Sequence, residues 1–174
     1  MNTSSWAVQN TSRPETDDQG TQRWFNASGH LHRVTGPAVI TRSGYTAWWH
    51  NGQLERLDGP AVEWPNGDRE WWQGGELHRA TGPAVECVAG AREWWVQGQR
   101  HCATGPAVIY ANGDRFWFWH GQLHRADGPA VELATGHQEW WVHGHQRDHA
   151  SLVLACPILQ NIHDYTTYHG PGSI

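Results

Sequence analysis

The sequence predicts an all-β protein: an elongated, twisted antiparallel sheet or trough of five to six 23-residue β-hairpin repeats with a non-repeat C-terminal cap. Three observations carry this expectation. Gly-Pro-Ala-Val begins at Gly36, Gly59, Gly82, Gly105 and Gly128, each copy 23 residues after the last. A fixed period of that length marks stacked supersecondary units, each too small to bury its apolar face alone. Turn-forming pairs fall at short intervals within every unit, leaving no stretch long enough for a useful helix. Between these breakers lie short runs of β-branched and aromatic residues, the composition of strands.

In chain order, residues 1–20 are polar and without period, and 11–20 is rich in Ser, Thr, Pro and Asp. Such a segment buries too little apolar surface to offset its ordering entropy, so a flexible arm is expected, with Trp6 as its candidate anchor. Residues 21–150 form the repeat domain. After Gly59 the chain reads Pro-Ala-Val-Glu-Trp, Asn66-Gly67, Arg-Glu-Trp-Trp-Gln, Gly74-Gly75, and Leu77-His78-Arg79. Asn-Gly between strand-like runs is the strongest local hairpin signal, since a type I′ turn needs positive φ at both central residues. Ser43-Gly44, Ala89-Gly90, Asn112-Gly113 and Thr135-Gly136 stand at the same place in the other units. Residues 151–174 carry no repeat and are expected to cap the last hairpin, because an open sheet edge recruits other chains.

A type I′ turn centred on Asn66-Gly67 sets Glu63 opposite Glu70, Val62 opposite Trp71 and Trp64 opposite Arg69. The first of these positions vary in concert: Ile40/Ala47, Glu63/Glu70, Glu86/Glu93, Ile109/Phe116 and Glu132/Glu139. Arg56, Arg79 and Arg125 accompany the glutamate pairs, and Cys102 accompanies Ile109/Phe116. Arg33, beside Ile40/Ala47, is the exception. The expectation is a structural network of Arg79, Glu86 and Glu93, an arginine bridging two glutamates of adjacent strands and contributing ~0.5–1 kcal/mol if exposed. The Val of each GPAV and the first Trp of each doublet (Trp48, Trp71, Trp94, Trp117, Trp140) are assigned to the core face. The second aromatic column (Trp49, Trp72, Trp95, Phe118, Trp141) points the other way, as an aromatic lane.

Composition narrows the function. The chain has 13 Trp, 13 His and a net charge of −5, and all 12 basic residues are Arg. These arginines are spread along the repeats, which argues against a duplex nucleic-acid binder, since that needs a basic stripe. Cys87, Cys102 and Cys156 are odd in number and far apart, consistent with free thiols in a cytoplasmic protein. No basic patch precedes an apolar run near residue 1, so no secretory signal is expected. The apolar stretch 152–159 contains Pro157 and is too short to span a bilayer.

The unit resembles the MORN repeat, a β-hairpin family whose period is also 23 residues. Trp49-His50-Asn51-Gly52 matches the family's Trp-X-Asn-Gly, and His78, His101 and His124 match the His after that turn. Asn66-Gly67 and Asn112-Gly113 match its closing Asp-Gly, whereas Arg-X-Thr/Asp-Gly-Pro replaces its tight Gly-X-Gly. The resemblance implies an elongated antiparallel sheet used for protein–protein contact or membrane-associated scaffolding.

No residue pattern calls for catalysis. His32, His78, His101 and His124 form a column interrupted by Glu55. Equivalent positions lie two strands apart, roughly 9.5 Å, too far to share a metal held at ~2.1 Å. The column therefore predicts a repeated turn-closing hydrogen bond. His143, His145, Asp148 and His149 crowd the final turn and are expected to be solvated, with no metal and no cofactor assigned. Glutamate pairs resemble glycosidase carboxylates, but their repetition argues for structure, and Cys102 beside His101 lacks a third partner. The sequence thus predicts a non-enzymatic scaffold binding another protein through a Trp/His/Arg-rich surface. That surface comprises the aromatic lane and the polar column His78, His101, His124, Arg56, Arg79 and Arg125, with oligomerisation open through the sheet edges. A second reading is a sequestering protein that stacks a nucleotide or glycan on the lane.

Overall fold

The computed structural model describes residues 14–148. The capping segment 151–174, Trp6, Cys156 and His149 lie outside the described residues. Among the described residues there is no helix, and every pairing is antiparallel. The fold is all-β, with repeated hairpins in a large sheet that does not close.

Each unit contributes two hairpins. The first belongs to a thirteen-stranded sheet whose strands follow one another in chain order. In the unit opened by Gly59 its strands are Val62–Glu63 and Arg69–Glu70. The second hairpin is smaller, Trp72–Gln73 against Glu76–Leu77. Trp71 joins them at the point where the chain leaves the large sheet. Its N–H donates to the Ala84 carbonyl (2.8 Å), and its carbonyl accepts from the His78 N–H (3.0 Å). Small hairpins of neighbouring units are stitched by further backbone bonds, Gly98 N–H to Leu77 carbonyl (3.0 Å) and Arg79 N–H to Trp95 carbonyl (3.1 Å). In the last unit the strand runs unbroken as Gln138–Val142 and pairs with His145–Arg147.

The turns exchange the roles that the sequence assigned to them. Trp64 N–H donates to the Asp68 carbonyl and Gly67 N–H to the Trp64 carbonyl, both at 2.9 Å, enclosing Pro65, Asn66 and Gly67. This is a three-residue loop, a type I turn ending on a left-handed glycine (Gly67, φ 93°). The type I′ turn belongs to the second hairpin, where Gly74 (φ 59°) and Gly75 (φ 81°) both lie in the left-handed region. Register moves by one residue as a result: Val62 faces Glu70 and Glu63 faces Arg69. The expected pairing of Glu63 with Glu70 is therefore corrected, because one more loop residue shifts every partner by one.

Equivalent type I′ turns begin at Asn51, Gln97, His120 and His143, with φ between 46° and 50°. Their Cβ atoms disfavour this conformation by ~1–2 kcal/mol, and Gln97 is exposed. Gln97→Gly is expected to stabilise the protein by up to about 1 kcal/mol, read as a higher urea midpoint. An unchanged or lower midpoint would count against this turn assignment.

The repeat array also begins earlier than its first GPAV. Glu15–Thr16 pairs with Gln22–Arg23, which pairs in turn with Val39–Ile40. The expected flexible arm 1–20 is thus corrected over its last residues, which form a strand and a turn closed by Asp17 and Thr21 (2.9 Å). This degenerate unit has a turn one residue longer, at Asn26, where Asn26 N–H donates to His30 carbonyl (2.8 Å) and Gly29 N–H to Asn26 carbonyl (3.0 Å). That extra residue and the missing GPAV hide it from the period.

The core is thin and, apart from the buried Trp24, built from Ala and Val. Ala38, Ala61, Ala84, Ala107 and Ala130 are fully buried, with Val62, Val108 and Val131 beside them. Both backbone groups of Ala61 are engaged, its N–H by Glu70 and its carbonyl by Trp48 (2.8 Å each).

Candidate binding grooves between the repeats

The Leu-His-Arg segment builds one wall of the site. Each column arginine lies flat on the first Trp of its own unit, with the guanidinium carbon 3.9 Å from the Trp24 ring for Arg33, 4.0 Å from Trp48 for Arg56, 3.8 Å from Trp71 for Arg79 and 4.1 Å from Trp117 for Arg125. The glycine that opens GPAV lies close to the guanidinium: a Cβ at Gly59 would come within 2.9 Å of the Arg56 guanidinium carbon, and one at Gly82 within 3.3 Å of that of Arg79. One guanidinium nitrogen donates to the following Pro carbonyl, at 3.1 Å for Arg56 and Pro60 and 2.9 Å for Arg79 and Pro83. Stacking, hydrogen bond and glycine contact together hold a long cation in one rotamer.

The same nitrogen reaches a carboxylate across the loop. Arg56 meets Glu63 at 3.4 Å, Arg79 meets Glu86 at 2.7 Å and Arg125 meets Glu132 at 2.9 Å. Asp58 and Asp127 add a second carboxylate on Nε of Arg56 (2.9 Å) and Arg125 (3.0 Å). Their surroundings pull the Asp58 carboxyl below the usual carboxylate range, chiefly through the Arg56 hydrogen bond.

Glu93 does not join Arg79, and the three-member network is corrected to a pair. Glu93 instead accepts from the Trp95 indole N–H (3.0 Å) and from Arg100 Nε (3.1 Å). In the units opened by Gly59, Gly82 and Gly128, the corrected register gives the two glutamates separate roles. Glu63, Glu86 and Glu132 serve the arginines, while Glu70, Glu93 and Glu139 accept from the indoles of Trp72 (2.9 Å), Trp95 (3.0 Å) and Trp141 (2.7 Å) two residues on. Where the lane carries Phe118, which has no indole, Phe116 stands two residues before it, and Ala47 stands two residues before Trp49. Glu139 is held below the ordinary carboxylate range by hydrogen bonds from His137 and Trp141.

Among the lane residues Trp49, Trp72, Trp95, Phe118 and Trp141, all are half-buried. The tryptophans more open to solvent are Trp64 (44 %) and Trp119 (40 %). The histidine column is tied into the fold through one nitrogen. Nδ1 of His32, His78, His101 and His124 accepts the N–H of Asn51, Gln97, His120 and His143 at 3.1–3.2 Å, joining each unit to the next type I′ turn. Glu55, in the gap, turns to His50 (3.5 Å). Burial, and then the nearby carboxylates of Asp68, Glu93 and Glu70, push the Cys87 thiol up, away from a reactive thiolate. No group of three or more His, Cys, Asp or Glu side chains is arranged to hold a metal among the described residues.

Consecutive Arg-X-Thr/Asp-Gly-Pro loops stand apart and leave grooves floored by the Trp–Arg stacks. The first, about 720 Å³, lies between the loop at 33–37 and that at 55–58, over Trp48. A second of about 420 Å³ lies over Trp71, and another of about 320 Å³ over Trp117. The lips of the first groove carry Val34 and Leu57, which are 66 % and 82 % exposed. The sequence reading missed both residues. Their signal was a departure from the repeat: the position after the column residue is Val34 and Leu57 in two units but Ala80, Ala103 and Ala126 in the others.

No protein-family model matches the chain, and no curated protein is significantly similar to it.

Proposed function

We propose that this chain is a non-catalytic, MORN-like scaffold that binds another protein in the grooves between its repeats. The observation that carries the reading is the first groove. Two large apolar side chains, Val34 and Leu57, are held in water at the lips of a 720 Å³ recess floored by a stacked Trp and Arg. Exposed apolar residues around an aromatic–arginine floor have the chemistry of an interface hot spot. The rigid loops behind them lower the ordering cost of binding. A cytoplasmic setting belongs to this reading. No helix among the described residues is long and apolar enough to cross a membrane.

The test is affinity capture from the native host by the full chain and by a Val34→Asp/Leu57→Asp variant, with both folded by circular dichroism. A partner retained by the parent and depleted at least tenfold by the variant is expected. Equal retention of every partner by both proteins would reject the groove.

A second reading, sequestration of a planar ring or glycan, is favoured by one feature. Trp119 is 40 % exposed and packs its ring 4.4 Å from His101 and 6.4 Å from His124. Under that reading nucleotides or oligosaccharides quench tryptophan fluorescence, and Trp119→Ala abolishes the quenching.

A further inference from the structure

Comparison of equivalent arginines within the chain singles out Arg33. Its guanidinium is positioned like the others, on Trp24 at 3.9 Å and donating to the Pro37 carbonyl at 3.1 Å. Arg56, Arg79 and Arg125 each have a glutamate at the strand position seven residues on, and Arg56 and Arg125 have an aspartate two residues on as well. In the Arg33 unit both carboxylates are missing together: Ile40 replaces the glutamate and Thr35 the aspartate. Arg33 consequently has no carboxylate partner among the described residues, and it lines the first groove.

Asp58 is bonded to Arg56, which also meets Glu63, and Glu55 turns to His50 at 3.5 Å. Arg33 is thus the one arginine of this groove with no carboxylate in contact among the described residues, and the exposed apolar side chains Val34 and Leu57 share the groove with it.

We propose that the first groove binds a glutamate or aspartate side chain of a partner protein, flanked by apolar residues. The ligand's carboxylate meets the Arg33 guanidinium from the groove, on the side where Thr35 stands in place of the aspartate that meets Arg56. Its apolar neighbours cover Val34 and Leu57. A carboxylate suits the site better than a phosphate dianion. Arg33 supplies a single unmatched charge, and the Glu55 and Asp58 carboxylates at the rim repel further negative charge. Because the guanidinium is already stacked and oriented, little rotamer freedom is lost when the ligand arrives. The proposal deepens the scaffold reading and rests on it.

The test follows the Arg33 Nε–H resonance of the full chain by NMR during titration with three probes. These are a capped pentapeptide with one glutamate between two leucines, its glutamine twin, and inorganic phosphate. The glutamate peptide is expected to bind at least tenfold more tightly than the glutamine twin and to shift the Arg33 signal. Phosphate is expected to bind more weakly than the glutamate peptide. Ile40→Glu supplies the missing carboxylate from within while leaving Arg33 and its stack intact, and is expected to weaken peptide binding at least tenfold. Arg33→Gln, followed at backbone amides of the groove, should do the same. Equal binding of the two peptides, tighter binding of phosphate, or undiminished binding to Ile40→Glu would overturn the proposal. If these fail while Leu57→Asp still releases a captured partner, the carboxylate site falls and the scaffold stands.

Discussion

Ala84→Leu is expected to destabilise the protein by about 1–3 kcal/mol, measured as a lower urea midpoint. Ala84 is fully buried. Its N–H donates to the Glu93 carbonyl and its own carbonyl accepts from Trp71, both at 2.8 Å, so the backbone cannot shift to admit a larger side chain without losing ladder bonds. The strain falls where the large sheet meets the small hairpin and is shared with both adjoining units, since each repeat is stabilised by its neighbours. Ala89→Leu is the control. Ala89 is exposed in the three-residue loop of the same unit, and its replacement is expected to change stability by no more than ~0.5 kcal/mol. Similar losses from both variants would mean that the alanine column is not the packed seam.

Lowering the pH from 7 to 5 is expected to loosen the junctions between units. Burial, and then the facing ring of His50, His120 or His143, holds the imidazoles of His32, His101 and His124 below their ordinary value of 6.5. Each folded ring must stay neutral, because its Nδ1 accepts a backbone N–H. Between the lower folded value and 6.5, the unfolded chain binds more protons than the folded one. The stabilisation is therefore complete above 6.5, declines as the pH falls through that value, and levels off below the folded value. These rings are open to solvent on one side, so each junction is expected to lose toward the lower end of ~0.5–1.5 kcal/mol. His101→Asn separates this effect from carboxylate titration. An Asn Oδ1 accepts the same N–H but binds no proton in this range. The variant is expected to show a shallower fall in urea midpoint between pH 7 and 5 than the parent. An identical slope would remove His101 from the account.

The difference between what was legible in the chain and what was not follows the reach of the forces involved. A repeated GPAV, short β-branched and aromatic runs, and glycine at every turn are local facts, and they are sufficient for an antiparallel hairpin array. The recurrence of the histidine column was legible for the same reason, but its acceptor does not close a turn of its own unit: it reaches the type I′ turn of the next one. The Glu63 register was not. A glycine with positive φ ends both a two-residue type I′ turn and a three-residue turn, so Asn66-Gly67 and Gly74-Gly75 look alike one at a time. The choice depends on which ladder the next unit offers, as when Ala84 takes the Trp71 N–H and turns the chain out of the large sheet. Glu93 was misassigned along with that register, because a shift of one residue moves a side chain to the other face of a strand.

The chain alone yields the period, the all-β class, the hairpin as building block and the departure of Arg33 and Ile40 from the pattern of the other units. Packing between units sets which glutamate each arginine meets, adds the strand Glu15–Thr16 ahead of the first GPAV, and holds adjacent loops far enough apart to leave grooves. Those features arise between units that are distant along the chain. Their geometry follows from hydrogen bonds and packing across neighbouring repeats, which no single repeat encodes alone.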